Sequence, residues 1–472
     1  MTKPTISLQE LRTRIGHRAK SAPTHRFWGL YVHLTRLETL EAAYLEARRN
    51  GGAPGADGVT FEAIESQGRG EFLSELAREL EEERYTPKPY RRREIPKEGG
   101  KVRTISIPTI RDRVVQGALR LLLEPLFEAD FSAHSFGARP GRSAHQAVDE
   151  VRKGMNHQKH LAVDVDLKSF FDTIRHDRMM EKVTRRVQDG RVLSLVKQFL
   201  KSTGGCGIPQ GSPLSPLLAN VALNDLDHAL GKGKGYLTYV RYLDDMVVLT
   251  FNSKRGRRWA ERALERIREE AEAIGVQLNK EKTRTVLLTE KGAMFAFLGF
   301  EFRWKPNPTI RKGYAHTSPR KKKLTEVLRK VRDVLHGSRH LSVQEAVVRV
   351  NPVLRGWVNY FRVGNSSRAF DKVKWQVELK VRRFAVKKLK RRGSIRASAT
   401  LSSRSSTAMR ASLMRASLGS AAFTLQVVTA STYPLNRVFS PLATPARPSG
   451  NPAPRGRLPW VKRGYSNEGG VA

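Results

Sequence analysis

Asp244 and Asp245 stand side by side between two apolar runs, in a stretch, Leu237–Thr250, that reads LTYVRYLDDMVVLT. Val240, Tyr242, Val247 and Val248 favour strands, so the stretch predicts a hairpin with both carboxylates at or beside its turn. Hairpin turns ordinarily use Asn-Gly, Asp-Gly or Gly-Gly, and Leu243-Asp244-Asp245 lacks that chemistry. Adjacent like charges against an apolar sheet repel unless a cation sits between them. A solvated acidic turn is the other reading this stretch allows. A third acid lies in Leu161–Ile174, LAVDVDLKSFFDTI, where Asp164 and Asp166 interrupt the apolar strand formers Leu161, Ala162, Val163 and Val165. A carboxylate at the end of a buried strand is costly unless paired or metal-bound. Mg²⁺ requires hard oxygen ligands. Asp166, Asp244 and Asp245 would hold two such ions about 3.5–4 Å apart, the arrangement used for in-line phosphoryl displacement. Alternation puts Asp164 on the same face as Asp166, as a group near the ligands.

The elements that must position these acids follow from periodicity. Residues 1–24 read as a polar, loosely ordered arm. Leu30, Leu34, Leu37, Leu40 and Tyr44 recur at helical spacing and predict a helix over 26–49, broken by the glycine-rich segment Asn50–Thr60. Phe72, Leu73, Leu76 and Leu80 predict a helix over 61–84. Tyr90–Pro108 predicts a basic hairpin turning at Gly99-Gly100, and Ile110–Phe131 an amphipathic helix. Pro209, Gly211 and Pro213 forbid regular structure in a loop, and Leu214, Leu217, Leu218 and Val221 then begin a helix. Lys254–Ile274 predicts a charged helix covering one face of the sheet and ended by Gly275. Arg320–His336, Ser342–Phe361 and Arg368–Lys390 predict three basic helices, with Leu354, Trp357, Val358 and Phe361 as a core stripe.

The chain has 472 residues, room for two or three domains, and 39% hydrophobic residues, enough for a core. A net charge of +41 points to a polyanionic partner, nucleic acid, bound largely through counterion release. No apolar run reaches the ~18 residues of a membrane span, and the first residues lack a signal-peptide core. The single cysteine, Cys206, permits no intramolecular disulfide and fits a reducing cytoplasm. From 394 to 472 the chain is rich in Ser, Ala, Arg and Pro, with Glu468 its only acid, no Cys and no His. That composition predicts disorder.

Nine segments in order carry a family resemblance: NGGAPGADGVT (50–60), IPKEGGKVRTISIPT (95–109), SFGARPGRSAHQA (135–147), the Asp166 strand, GIPQGSPLSPLLANV (207–221), RYLDDMVVL (241–249), LNKEKT (278–283), FLGFEF (297–302) and NPVLRGWVNYFR (351–362). From about residue 25 to 392 the chain resembles a group II intron reverse transcriptase/maturase. The resemblance implies an α+β right-hand polymerase with an N-terminal extension (1–60), fingers (61–160), palm (161–305), an all-α thumb/maturase domain (319–393) and the basic tail (394–472), the reverse transcriptase part running over about 78–302. It implies an RNA-directed DNA polymerase using two Mg²⁺, with RNA, a DNA primer or target and dNTPs as partners.

By that resemblance Asp166, Asp244 and Asp245 are catalytic metal ligands. Lys97, Lys101 and Arg103 clasp the nucleotide's triphosphate, Phe171 lies under its sugar and excludes a 2′-hydroxyl, and Gln210 and Gly211 rest against the nascent base pair. Either Phe170 or Phe171 is core, and Asp172 reads as a helix or turn cap. Arg139 and Arg142 face template phosphates. Lys280 or Lys282 serves the leaving pyrophosphate, and Lys380, Arg382, Arg383, Lys387 and Lys388 grip intron RNA or duplex, whose A-form groove is read through backbone and shape. The family usually carries Ala where this chain has Leu243, and Arg-Pro-Leu-Gly where it has Arg103-Thr104-Ile105-Ser106. Two other readings stand beside the polymerase: a splicing-only maturase, and a free-standing enzyme in DNA repair or defence.

Overall fold

Around the helix Ile110–Glu128, which buries fourteen residues on nearly every face, the N-terminal helices form a layer. The computed structural model describes residues 6–96, 102–202, 204–233, 235–307 and 312–393, with backbone alone at 312 and 389–393. Where a loosely ordered arm was expected, Leu8–Ser21 is a helix. Ser7 caps it by accepting the Glu10 N–H at 3.2 Å. Leu8, Leu11, Ile15 and Ala19 are its buried face, packed against Ile110–Glu128. The expected helix over 26–49 is two pieces, Tyr31–Leu34 and Leu37–Asn50. The expected helix over 61–84 divides at Gly68, whose φ of +113° only glycine adopts cheaply. The basic hairpin pairs Arg91–Pro96 with Val102–Ile107; its tip at 97–101 lies outside the described residues.

The central sheet has four antiparallel strands in the order Thr238–Tyr242, Asp245–Thr250, Leu161–Val165, Arg284–Leu287. Its two faces sort by strand alternation. Val163, Val165, Met246 and Val248 join the core containing Ala260, Ala263 and Ile267 of the helix Lys254–Ala273. Ala162, Val240, Val247 and Leu249 join the core containing Ala147, Val148 and Val151 of the helix Ala144–Asn156. A sheet covered on both sides explains why its strands read as continuous apolar runs.

A second sheet was legible only at its start. Phe295–Phe297 and Phe300–Asn307 turn at Leu298 (φ +50°) and Gly299 (φ +81°), and the second strand then pairs along eight residues with Lys312–Pro319. Pro306, Pro308 and Gly313 hid this longer hairpin in the sequence. Three helices follow, Lys321–Gly337, Val343–Phe361 and Ser367–Gly393. Val327, Val331, Val350, Leu354, Val373 and Val377 form their shared core. Among the described residues no helix is long and apolar enough to cross a membrane. The expected disorder of 394–472 concerns residues outside the described ones.

One polar group is buried where the central sheet is most apolar. Arg241 and Asp227 both have 0% of the side chain exposed. Arg241 Nε donates to Asp227 Oδ1 at 2.7 Å, a second guanidinium N–H reaches Asp227 Oδ2, and the third nitrogen donates to Asn220 Oδ1 and to the Leu243 carbonyl, each at 3.0 Å. Tyr239 Oη donates to the same carboxylate at 2.9 Å. A fully satisfied buried pair gives little net stability, but removing one partner strands the other charge. Arg241→Met is therefore expected to cost about 3–5 kcal/mol in denaturant-induced unfolding. Arg241→Lys is not expected to restore it, since an ammonium cannot reproduce the planar fork. A loss of under ~1 kcal/mol, the worth of an exposed pair, would contradict this.

Candidate active site

The turn between Thr238–Tyr242 and Asp245–Thr250 brings the acids together. Tyr242 pairs with Asp245, and Val165 with Met246. One step further along the same antiparallel register, Asp166 leaves its strand beside Asp245. Leu243 takes φ +56°, unusual for a branched side chain, and its carbonyl is the one held by Arg241. Beneath it lies Gly137, where an added Cβ would stand 2.6 Å from the Leu243 nitrogen. Asn220 Nδ2 donates to the Gly137 carbonyl at 2.9 Å, and Phe136 N–H to the Arg241 carbonyl at 2.9 Å. The turn that lacked ordinary turn chemistry is thus fixed from below by buried hydrogen bonds.

Asp166 is held from the other side. Asn279 donates to it twice at 2.8 Å, from its backbone N–H to the Asp166 carbonyl and from its side-chain amide to Oδ2. Lys282 Nζ stands 3.4 Å from the same Oδ2. Asp164 faces Arg284 at 3.4 Å. The Asp245 carboxyl is pushed up to about 7, by loss of water among packed protein atoms and then by the charges of Asp244, Asp166 and Asp164, with Lys282 opposing. Asp245 as a residue still meets solvent. Burial likewise raises Asp164, and Arg284 offsets it.

Among the described residues no three acidic, histidine or cysteine side chains stand close enough to enclose an ion as they are. The donor set nevertheless fits Mg²⁺. It offers hard carboxylate oxygens from two strands, with an excess of negative charge that Lys282 opposes at Asp245. Asp166, Asp244 and Asp245 are the residues that would hold it.

A cleft of about 1070 Å³ is lined by Arg103, Phe171, Gln210, Gly211 and Leu243. Phe170 is core at 2% exposure, while Phe171 is half-buried and lines the cleft. Gly211 (φ +117°) makes its close approach to the fingers strand, since an added Cβ would meet the Ser106 carbonyl oxygen at 2.6 Å. Ser106 N–H donates to the Gln210 carbonyl at 2.7 Å, and Arg103 Nε to Gln210 Oε1 at 2.5 Å. Lys97 and Lys101 lie outside the described residues.

The remaining cations divide. Arg139 is spent internally: it is buried, paired with Glu128 at 2.7 Å and donating to the Ser132 and Ser135 carbonyls. It pins its loop. Arg142 is half-buried over the Phe136 ring. Lys280, Arg382, Arg383 and Lys387 are exposed and Lys380 is half-buried, whereas Lys388 donates to the Leu341 carbonyl and ties its helix to the turn between the two helices before it. Sequence reasoning missed Asn279, Arg241, Asp227 and Asn220. The available signal was an arginine inside an apolar strand, which must be buried with a partner.

Residues 95–302 match the reverse transcriptase (RNA-dependent DNA polymerase) family, and residues 324–400 match the group II intron maturase-specific domain. Protein YkfC of Escherichia coli is 30% identical over 382 residues, covering 69% of this chain and 97% of that protein. The group II intron-encoded protein LtrA of Lactococcus lactis is 26% identical over 381 residues, covering 66% of this chain and 62% of LtrA. The putative COX1/OXI3 intron 1 protein of Saccharomyces cerevisiae is 27% identical over 345 residues, covering 59% of this chain and 40% of that protein. The matched segments take in the basic hairpin, the central sheet and the three terminal helices, and the chain belongs to the group II intron reverse transcriptase/maturase family.

Proposed function

We propose that this protein is an RNA-directed DNA polymerase that extends a primer on an RNA template and also binds intron RNA, assisting splicing and mobility. The observation that carries the reading is the strand register that sets Asp166 beside Asp245, next to Asp244, on adjoining strand ends. Mg²⁺ held there would activate the primer hydroxyl and neutralise the triphosphate. The chain's own residues do the positioning. Arg103 presents a guanidinium at the cleft, suited to bidentate contact with phosphate oxygens. Phe171 sits where it would lie against a nucleotide sugar and turn away a ribose 2′-hydroxyl. Lys282, beside Asp166, is placed to protonate the departing pyrophosphate. The maturase-specific match and the exposed cations Arg382, Arg383 and Lys387 support RNA binding, with DNA primer and dNTPs as the remaining partners.

Asp244→Ala is expected to abolish primer extension on an RNA template while RNA affinity, measured by filter binding at fixed salt, stays unchanged. Retained extension contradicts the assignment. A stability test is independent of turnover. Asp245 holds its proton more tightly folded than unfolded, where the carboxyl titrates at about 3.9. The metal-free fold therefore loses stability as pH rises through the window between the two values, up to about 7. Asp245→Asn is expected to raise the Tm of metal-free protein at pH 8, with the gain shrinking towards pH 4. Mg²⁺ is expected to raise the Tm of wild type more than that of the variant. An equal or lower Tm for metal-free Asp245→Asn at pH 8 contradicts the crowding of carboxylates.

A further inference from the structure

The two walls of the nucleotide cleft are one piece. The short helix Phe170–Thr173 begins after Ser169, itself at φ +49°. It is stitched to the loop carrying Gln210: Ile208 N–H donates to the Phe171 carbonyl at 2.6 Å, and Gly207 N–H to the Ile174 carbonyl at 2.8 Å. Cys206 Sγ lies 3.4 Å from the Asp172 carbonyl. Only glycine fits at 207, where φ is +89° and a Cβ would come within 2.9 Å of the Phe171 and Asp172 carbonyl oxygens.

On this backbone, Asp172 does not cap its helix; among its described contacts, its carboxylate accepts from the Gln210 amide. Gln210 Nε2 donates to Asp172 Oδ1 at 3.3 Å, and Gln210 Oε1 accepts from Arg103 Nε at 2.5 Å. The result is an anion–amide–cation chain. It admits one orientation of the amide. The flipped form would set the amide N–H groups against the guanidinium and the amide oxygen against the carboxylate, two repulsions in place of two hydrogen bonds. Arg103 gives only Nε to this chain, which leaves its two terminal NH₂ groups for an anion in the cleft.

We propose that Asp172 is a positioning residue for the incoming nucleoside triphosphate: by fixing the Gln210 amide it holds Arg103 across the mouth of the cleft. The inference rests on the polymerase reading above. Asp172 touches no reacting atom and acts through Gln210. Its contribution is to nucleotide binding and leaves the carboxylate chemistry alone.

The test is single-nucleotide extension of a DNA primer on an RNA template by wild type, Asp172→Ala, Gln210→Ala and the double variant. Asp172 is exposed, so its substitution is expected to leave the Tm unchanged. Loss of one such hydrogen bond is expected to raise the KM for dNTP about threefold to tenfold, with kcat little changed. The double variant is expected to match Gln210→Ala alone, because the second substitution has nothing left to act through. An unchanged KM in Asp172→Ala, or effects that simply add in the double variant, overturns the proposal. Equilibrium binding of dNTP to the protein–primer–template complex in Ca²⁺ reads the same difference without turnover. A wild type that bound nucleotide but failed to extend would therefore sink the polymerase reading and still decide this one.

Discussion

The site depends on a buried ion pair. Arg241, from the strand Thr238–Tyr242, and Asp227, from the helix Asn224–Gly231, are both removed from water, and the desolvation cost is recovered only because every strong donor finds an acceptor. Two of those acceptors matter beyond stability. Asn220 passes the connection to Gly137, directly under the turn, and the Leu243 carbonyl is the turn itself. A left-handed leucine followed by two aspartates is an unfavourable way to close a hairpin. A core arginine locked in one orientation makes it the only way this hairpin closes.

The same turn shows where stability has been given up. Burial, and then the charges of Asp244, Asp166 and Asp164, push the Asp245 carboxyl up to about 7. The acids are held from behind, by Asn279 on Asp166 and Arg284 on Asp164. That sets hard carboxylate oxygens, the donor type a divalent cation takes, on adjoining strand ends. The cleft is built likewise, with Arg103 of the strand Val102–Ile107 joined across it to Gln210.

Much of this was legible in the residues. The hairpin read as Leu237–Thr250 is paired over Thr238–Thr250, the charged helix ends before Gly275 at φ +84°, and the three terminal helices begin and end within three residues of their expected bounds. Periodicity and glycine placement carry that information locally. What escaped was set by tertiary contact. Leu8–Ser21 looks polar until Ile110–Glu128 covers its one apolar stripe. The Phe300–Pro319 hairpin is spelled with prolines and a glycine that argue against strand. Arg139 and Arg142 look alike in sequence, yet Glu128 takes one and leaves the other over a ring. A basic residue's charge is visible in sequence; the carboxylate that occupies it is not.

The central claim is that Asp166, Asp244 and Asp245 form one site for divalent cations. Titration of Mn²⁺ into the protein bound to a primer–template and a non-hydrolysable nucleotide, followed by electron paramagnetic resonance, tests it directly. Tight Mn²⁺ binding that is lost in Asp166→Asn and again in Asp244→Asn, residues 78 positions apart, is the result expected. Mn²⁺ binding that survives either substitution unchanged would contradict the account.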